Sequence, residues 1–313
     1  MSLTNPDAPS LEIIPGFVRP FGLEFDALGR LYVADLGANA VHRFTPDLKF
    51  ECTIGCAAFH GPHSVGIDRA GYLYITEYYG KRLQRISPDL KSSEILLQNG
   101  HLPFGWLLQG PATGTVTSND EILVSDFGSN SIQKFSLQGE FLGWLGRRTD
   151  GEISEWDVEG EPNVSEQLGG LNRPHKVVSD SQGCLYVADT WNHRIVKYNQ
   201  AGKALGSIGY DKTTQTLTSN FKLSVTAEGS AIAGGLHSPT SLALCDEEAF
   251  FVVCEYGNSR VQRFSLDGAF QSGFAGRSDG SQLHHPYDVK VHENQLFICD
   301  TDNSRILVVR GYR

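Results

Sequence analysis

Three observations predict an all-β, six-bladed β-propeller: one residue pattern returns six times, its internal spacing barely changes, and each copy divides into runs of strand length. The pattern begins at a proline, crosses two apolar runs separated by a turn, and ends on an acid. The prolines are Pro20, Pro62, Pro111, Pro174, Pro239 and Pro286, and the acids are Asp35, Glu77, Asp126, Asp189, Glu255 and Asp300. The separations are 15, 15, 15, 15, 16 and 14 residues, whereas successive prolines lie 42, 49, 63, 65 and 47 apart. Length therefore varies between copies and hardly at all within them.

Each copy supplies its strands in the same order. In the first, Pro20-Phe-Gly-Leu-Glu-Phe, Leu31-Tyr-Val-Ala and Val41-His-Arg-Phe are short runs rich in β-branched and aromatic residues, parted by Gly, Asp and Asn turns. The fourth is the clearest, with Pro174-His-Lys-Val-Val, Leu185-Tyr-Val-Ala-Asp and Asn192-His-Arg-Ile-Val. Further runs at Phe141-Leu-Gly-Trp-Leu, Ala204-Leu-Gly-Ser-Ile and Phe270-Gln-Ser-Gly-Phe complete four antiparallel strands per blade. The blade cores are predicted at 20–56, 62–98, 111–146, 174–209, 239–276 and 286–309, within one domain spanning 1–313. The sixth copy ends without a fourth run, so the N-terminal strand, 11–15, is expected to complete the last blade and close the ring.

Composition excludes several classes. The 313 residues are 40% hydrophobic and 20% charged, enough for a large core. A net charge of −10 argues against nucleic acid as a partner. No run is long enough to span a membrane, and the first residues lack a signal-peptide pattern, so a cytoplasmic location is expected. Six cysteines show no metal-knuckle spacing. Cys52 and Cys56 would lie roughly 13 Å apart along a strand, beyond disulfide reach, so reduced and mostly buried thiols are expected.

In this fold the first strand of each blade lines the axis. The residue after each proline then faces the channel mouth, together with the loops after the second strands. Around the ring these residues are Phe21, His63, Ala112, His175, Thr240 and Tyr287. Two imidazoles and a phenol on alternate blades can converge, and imidazoles are common zinc ligands. The alternative is that the same residues merely line a wet tunnel. Tyr78, Tyr79, Trp191 and Tyr256 are expected as aromatic walls or as a source of a proton donor. The long connections Arg147–Asn172 and Tyr210–His237 are expected as a lid or rim over the mouth. The six recurring acids, with Arg82, Arg194, Arg260 and Arg305, read as blade locks, because repetition in every copy suits a turn better than catalysis.

The combination of Pro, apolar strand, Gly turn, Leu-Tyr-Val-Ala-Asp and Asn-x-Arg-Ile resembles the NHL-repeat family over nearly the whole chain. The ring pattern is further similar to peptidyl-α-hydroxyglycine α-amidating lyases. That resemblance implies zinc on His63 and His175, with Tyr287 or His285 in place of a third imidazole. It also implies calcium on Asp288 and the carbonyls of Leu23 and Val65. The family's catalytic arginine falls on Asp35 and its catalytic tyrosine near Gly128, so the full catalytic set is not present.

Two functions follow as expectations. One is a metal-dependent, lyase- or hydrolase-like enzyme acting on a small molecule or peptide end, with Tyr287, His285 and Lys176 as acid–base candidates and a divalent transition metal, zinc first, as cofactor. The other is a non-catalytic scaffold gripping a protein or peptide through the same face.

Overall fold

The computed structural model describes residues 10–55, 58–98, 108–148, 153–159, 161–211, 214–222, 227–245, 249–276 and 282–312. Six antiparallel sheets follow one another along the chain as the blades of a propeller. Blade 1 consists of Pro20–Phe25, Leu31–Asp35, Ala40–Phe44 and Phe50–Ile54, and blade 4 begins with Pro174–Ser179, Leu185–Asp189 and Arg194–Tyr198. The first strands of neighbouring blades touch all the way round, blade 6 meeting blade 1, so they enclose the axis.

The second strands show why the apolar pattern lacks a polar face. Side chains along a strand alternate between faces, and each face of a blade packs on a different neighbour. Leu31 and Val33 pack with Phe297 and Ile306 of blade 6, whereas Tyr32 and Ala34 pack with Val65 and Ile75 of blade 2. Both faces are therefore dry, and Leu-Tyr-Val-Ala is buried throughout. The core is six such seams, one between each pair of adjacent blades.

Ring closure is as expected from sequence. Ser10–Ile14 pairs antiparallel with Arg305–Arg310, in the register Leu11↔Val309 and Ile13↔Leu307. It becomes the outermost strand of a sheet whose other strands come from the opposite end of the chain.

The blade acids are locks. Asp126 accepts the backbone N–H groups of Gln109 and Gly110, just ahead of its own blade's Pro111, and those of Gly128 and Ser129. Asp35, Glu77, Asp189, Glu255 and Asp300 each accept an N–H at the same place. Arg82, Arg194, Arg260 and Arg305 bind the acid of their own blade at 2.6–2.8 Å. Each lock ties the start of the first strand to the end of the second, which holds the mouth loops in register.

The described residues of the long connections do not form the expected lid or rim over the cavity. Ile153–Asp157 and Pro162–Asn163 add to the outer edge of blade 3, and Thr216–Lys222 and Ala227–Glu228 add to that of blade 4. An outermost strand carries unpaired N–H and C=O groups, and continuing the sheet satisfies them. Trp156 accordingly packs against Lys134 and donates to the Gln200 carbonyl, and Phe221 joins Tyr186 and Phe251 in the blade 4–blade 5 seam. Cys52, Cys184, Cys245, Cys254 and Cys299 are free thiols, the last three buried; Cys56 lies outside the described residues. No helix among the described residues is long and apolar enough to cross a membrane.

Candidate functional site

The first strands crowd together at the axis. A Cβ on Gly22 would stand 2.7 Å from the His63 carbonyl oxygen, and one on Gly66 2.5 Å from that of Gly114. Only glycine permits this approach. One residue above, in five blades, the pairing slips by a residue immediately after the proline. The extra residue of such a bulge is re-aimed out of the sheet. Those residues are Phe21, His63, Ala112, His175 and Thr240. In blade 6 Tyr287 takes the equivalent place, its N–H donating to the Cys299 carbonyl at 2.9 Å.

The result is a cavity of about 390 Å³ at the channel mouth. Phe21, His63, His175, Thr240 and Tyr287 form its floor, and Tyr78, Tyr79, Phe127, Trp191 and Tyr256 stand around it on the loops after the second strands. Ala112 is too short to reach; its carbonyl instead accepts from His63 Nδ1 at 2.7 Å and Thr76 Oγ1 at 3.2 Å.

His63, His175 and Tyr287 come together as the ring positions imply. Their ring centroids lie 5.3 Å apart from Tyr287 to each histidine and 6.0 Å between the histidines. The bond to Ala112 places the His63 proton on Nδ1 and leaves Nε2 as the free acceptor. The Tyr287 hydroxyl and His175 Nδ1 share a hydrogen bond of 3.1 Å. Burial lowers the His63 pKa to about 4, against the opposing pull of the Ala112 carbonyl and Asp288. Burial also holds His175 well below its ordinary range, aided by His63 and Arg173, and raises the Tyr287 phenol. The floor at neutral pH is thus two neutral imidazoles and a neutral phenol.

This has a consequence for stability. Above pH 6.5 the folded and unfolded chains both hold His63 neutral, and its titration contributes nothing. As pH falls from 6.5 towards 4, the unfolded chain takes up a proton that the folded one refuses. About 3 kcal/mol is lost across that window. Thermal melts should fall as pH drops below 6.5, and His63→Gln should flatten the profile there; superimposable profiles would refute a neutral buried imidazole.

The remaining expected site residues lie elsewhere. Lys176 and Asp288 sit one residue deeper in the channel and are 2% and 3% exposed. The Lys176 ammonium is 3.6 Å from Asp288 Oδ1, which also accepts the Ser241 hydroxyl. Asp288 Oδ2 accepts the Leu23 N–H at 2.7 Å. Lys176 thus sets its own positive charge on the carboxylate to which the resemblance assigned calcium. Leu23 turns its N–H towards Asp288, while Val65 is buried in the blade 1–blade 2 seam. Lys176, below the floor and paired, does not line the cavity as an acid–base group.

His285 also stands outside the cavity. Its Nδ1 donates to Asp302 at 2.7 Å, and its ring stacks between those of Tyr256 and His284 at 4.4 and 4.5 Å. Among the described residues, a cluster of three His, Cys, Asp or Glu donors forms at His284, His285 and Asp302, on the rim. No such donor among the described residues joins His63 and His175. A catalytic zinc takes three protein ligands, so two imidazoles and a protonated phenol do not fit the implied zinc site.

Some mouth residues escaped sequence reasoning. Phe127 was missed as a wall, although it occupies the position after the acid that Tyr78 and Tyr256 mark. The left-handed residues Asn39, Asn130, His193 and Ser259 latch one blade to the next, each accepting the N–H just ahead of the following proline. Their signal is a constant offset of four from the blade acid, filled by small polar residues or histidine.

The NHL repeat model matches residues 171–198, within the clearest copy. No curated protein matches by sequence. Among solved structures, a catalytically inactive virginiamycin B lyase of Staphylococcus aureus with quinupristin superposes with a TM-score of 0.60 at 13% identity, covering 96% of this chain and 99% of that one. An auxiliary nutrient binding protein of Bacteroides thetaiotaomicron gives 0.63 at 15%, covering 94% and 69%. A chain of a nidogen/laminin complex gives 0.61 at 14%, covering 87% and 85%. At these identities the likeness shows the propeller fold alone.

Proposed function

For a six-bladed propeller carrying an NHL repeat, we propose that the axial cavity binds a small molecule or peptide end through a flat aromatic or apolar group. The observation that carries this reading is the enclosure of the cavity by Phe21, Tyr78, Tyr79, Phe127, Trp191, Tyr256 and Tyr287 over an uncharged floor. Aromatic walls offer large contact areas with little side-chain entropy to lose, and a mostly apolar concavity with few polar groups is the usual form of a small-molecule site. Trp191 is 50% exposed and Tyr79 65%, an unfavourable exposure that a bound ring would relieve.

The test uses 2-naphthamide, a neutral flat probe, with binding followed by saturation-transfer NMR and by Trp fluorescence. Saturable binding is expected, weakened about tenfold in a Tyr78→Ala/Trp191→Ala variant. Absence of binding, or equal binding by the variant, would reject the reading.

A lyase-like second reading rests on the Tyr287–His175 pair, 3.1 Å apart. His175 is a neutral base beside a neutral phenol that can return a proton to a leaving group, which is the pairing that general acid–base chemistry requires. Mass spectrometry of quinupristin incubated with the protein and with His175→Gln tests it, because the relative of this fold that was crystallised with quinupristin is a lyase. Because elimination within a ring leaves the mass unchanged, chromatographic retention and fragmentation are compared; both unchanged in both samples would leave binding as the function.

A further inference from the structure

We propose that the ligand of this cavity is an anion, a flat apolar group bearing a carboxylate or phosphate that Arg19 receives at the mouth. The proposal rests on the binding reading above and names the chemical class it takes.

Arg19 and Arg173 occupy the position just ahead of the proline in blades 1 and 4, on opposite sides of the ring. The other four blades carry Gly61, Gly110, Ser238 and His285 there. Arg19 lines the cavity with its guanidinium 5.1 Å from the Phe21 ring. Arg173 backs the opposite wall, 3.7 Å from the Trp191 ring and 4.8 Å from that of Phe127. Both backbones are pinned, the Arg19 N–H by Asp35 and the Arg173 N–H by Asn130, so the side chains start from defined points on the rim.

Neither guanidinium is neutralised. Among the described residues, no carboxylate lies at salt-bridge distance from either one, in contrast to the four blade arginines, each of which holds an acid. Nor does any Asp or Glu line the cavity, although acids outnumber Lys and Arg by 36 to 26 in the whole chain. Among the described residues, the cavity lining of this acidic protein thus carries no acid, and two guanidinium groups without a carboxylate partner stand across it. Guanidinium held on an aromatic face is weakly hydrated and loses little entropy on taking a carboxylate or phosphate. The cationic field reaches the floor as well, Arg19 opposing protonation of His63 and Arg173 that of His175. An anion at the mouth would be met by Arg19 directly and drawn in by Arg173 through the field.

The experiment compares 2-naphthamide with 2-naphthoate and 2-naphthyl phosphate, matched in ring and different in charge, by titration at low and at physiological salt. The acid is expected to bind about tenfold tighter than the amide, with a salt dependence that the amide lacks. Arg19→Gln should remove most of that preference and Arg173→Gln a smaller part, about twofold to threefold, each read as the ratio of acid to amide affinity within the same variant. A tighter phosphate would extend the preference to dianions and support the proposal. Equal binding of acid and amide would overturn the anion class and leave the binding reading standing. A preference that survives Arg19→Gln would overturn the assignment to Arg19, and failure of all three probes would remove the binding reading itself.

Discussion

Removal of residues 1–16 is expected to lower the melting temperature by roughly 6 °C or more, the equivalent of about 3 kcal/mol. The strand Ser10–Ile14 gives blade 6 its fourth strand and covers the edge of Arg305–Arg310 along its whole length. Ile14, 7% exposed, packs in the blade 6–blade 1 seam with Phe297 and Ile306. Deleting a buried isoleucine alone costs about 2–5 kcal/mol. Leu11, packed in the blade 5–blade 6 seam, and the ladder bonds add to that. The freed edge would also expose a row of unpaired N–H and C=O groups, so aggregation on heating should increase. Calorimetry of this deletion beside one of residues 1–9 isolates the strand. A melting temperature unchanged by the longer deletion would refute closure.

The second large effect lies on the axis. Lys176→Met should lose about 3–5 kcal/mol in urea unfolding, because it leaves the Asp288 carboxylate buried without a cation, held by the Leu23 and Val289 N–H groups and the Ser241 hydroxyl. Adding Asp288→Asn should recover most of that loss, since a buried ion pair replaced on both sides often costs little. The sign of this recovery separates a structural ion pair from an ordinary packing position. A single variant as stable as the parent would show that the pair carries no charge balance at the centre of the ring.

Repetition made the architecture legible. A constant distance from Pro to acid reports a hairpin of constant length, and six of them report six blades, with no need to know any contact. The same registration identified the residues after the prolines as those facing the mouth, and His63, His175 and Tyr287 do meet there. Lys176 and Asp288 were legible as axial residues, but not as partners. They lie in blades 4 and 6, more than a hundred residues apart, and only the converging first strands bring the ammonium to the carboxylate. His285 misled because it lies two residues from Tyr287 in sequence. It precedes the proline that turns the chain to the axis, and its ring leaves for Asp302 and Tyr256.

The sequence by itself determined the number of blades, the strand order within each, the closure by the N-terminal strand and the role of the blade acids. All of these are local or periodic, set by strand alternation and turn chemistry within some tens of residues. Tertiary structure decided the rest. It turned the long connections into outer strands, because open sheet edges nearby had backbone groups to satisfy. It supplied a lysine as the counter-charge of Asp288, kept His63 and His175 neutral by burying them, and left Arg19 and Arg173 without a carboxylate partner among the described residues. Those outcomes depend on distances between blades and on exclusion of water, neither of which a linear pattern records.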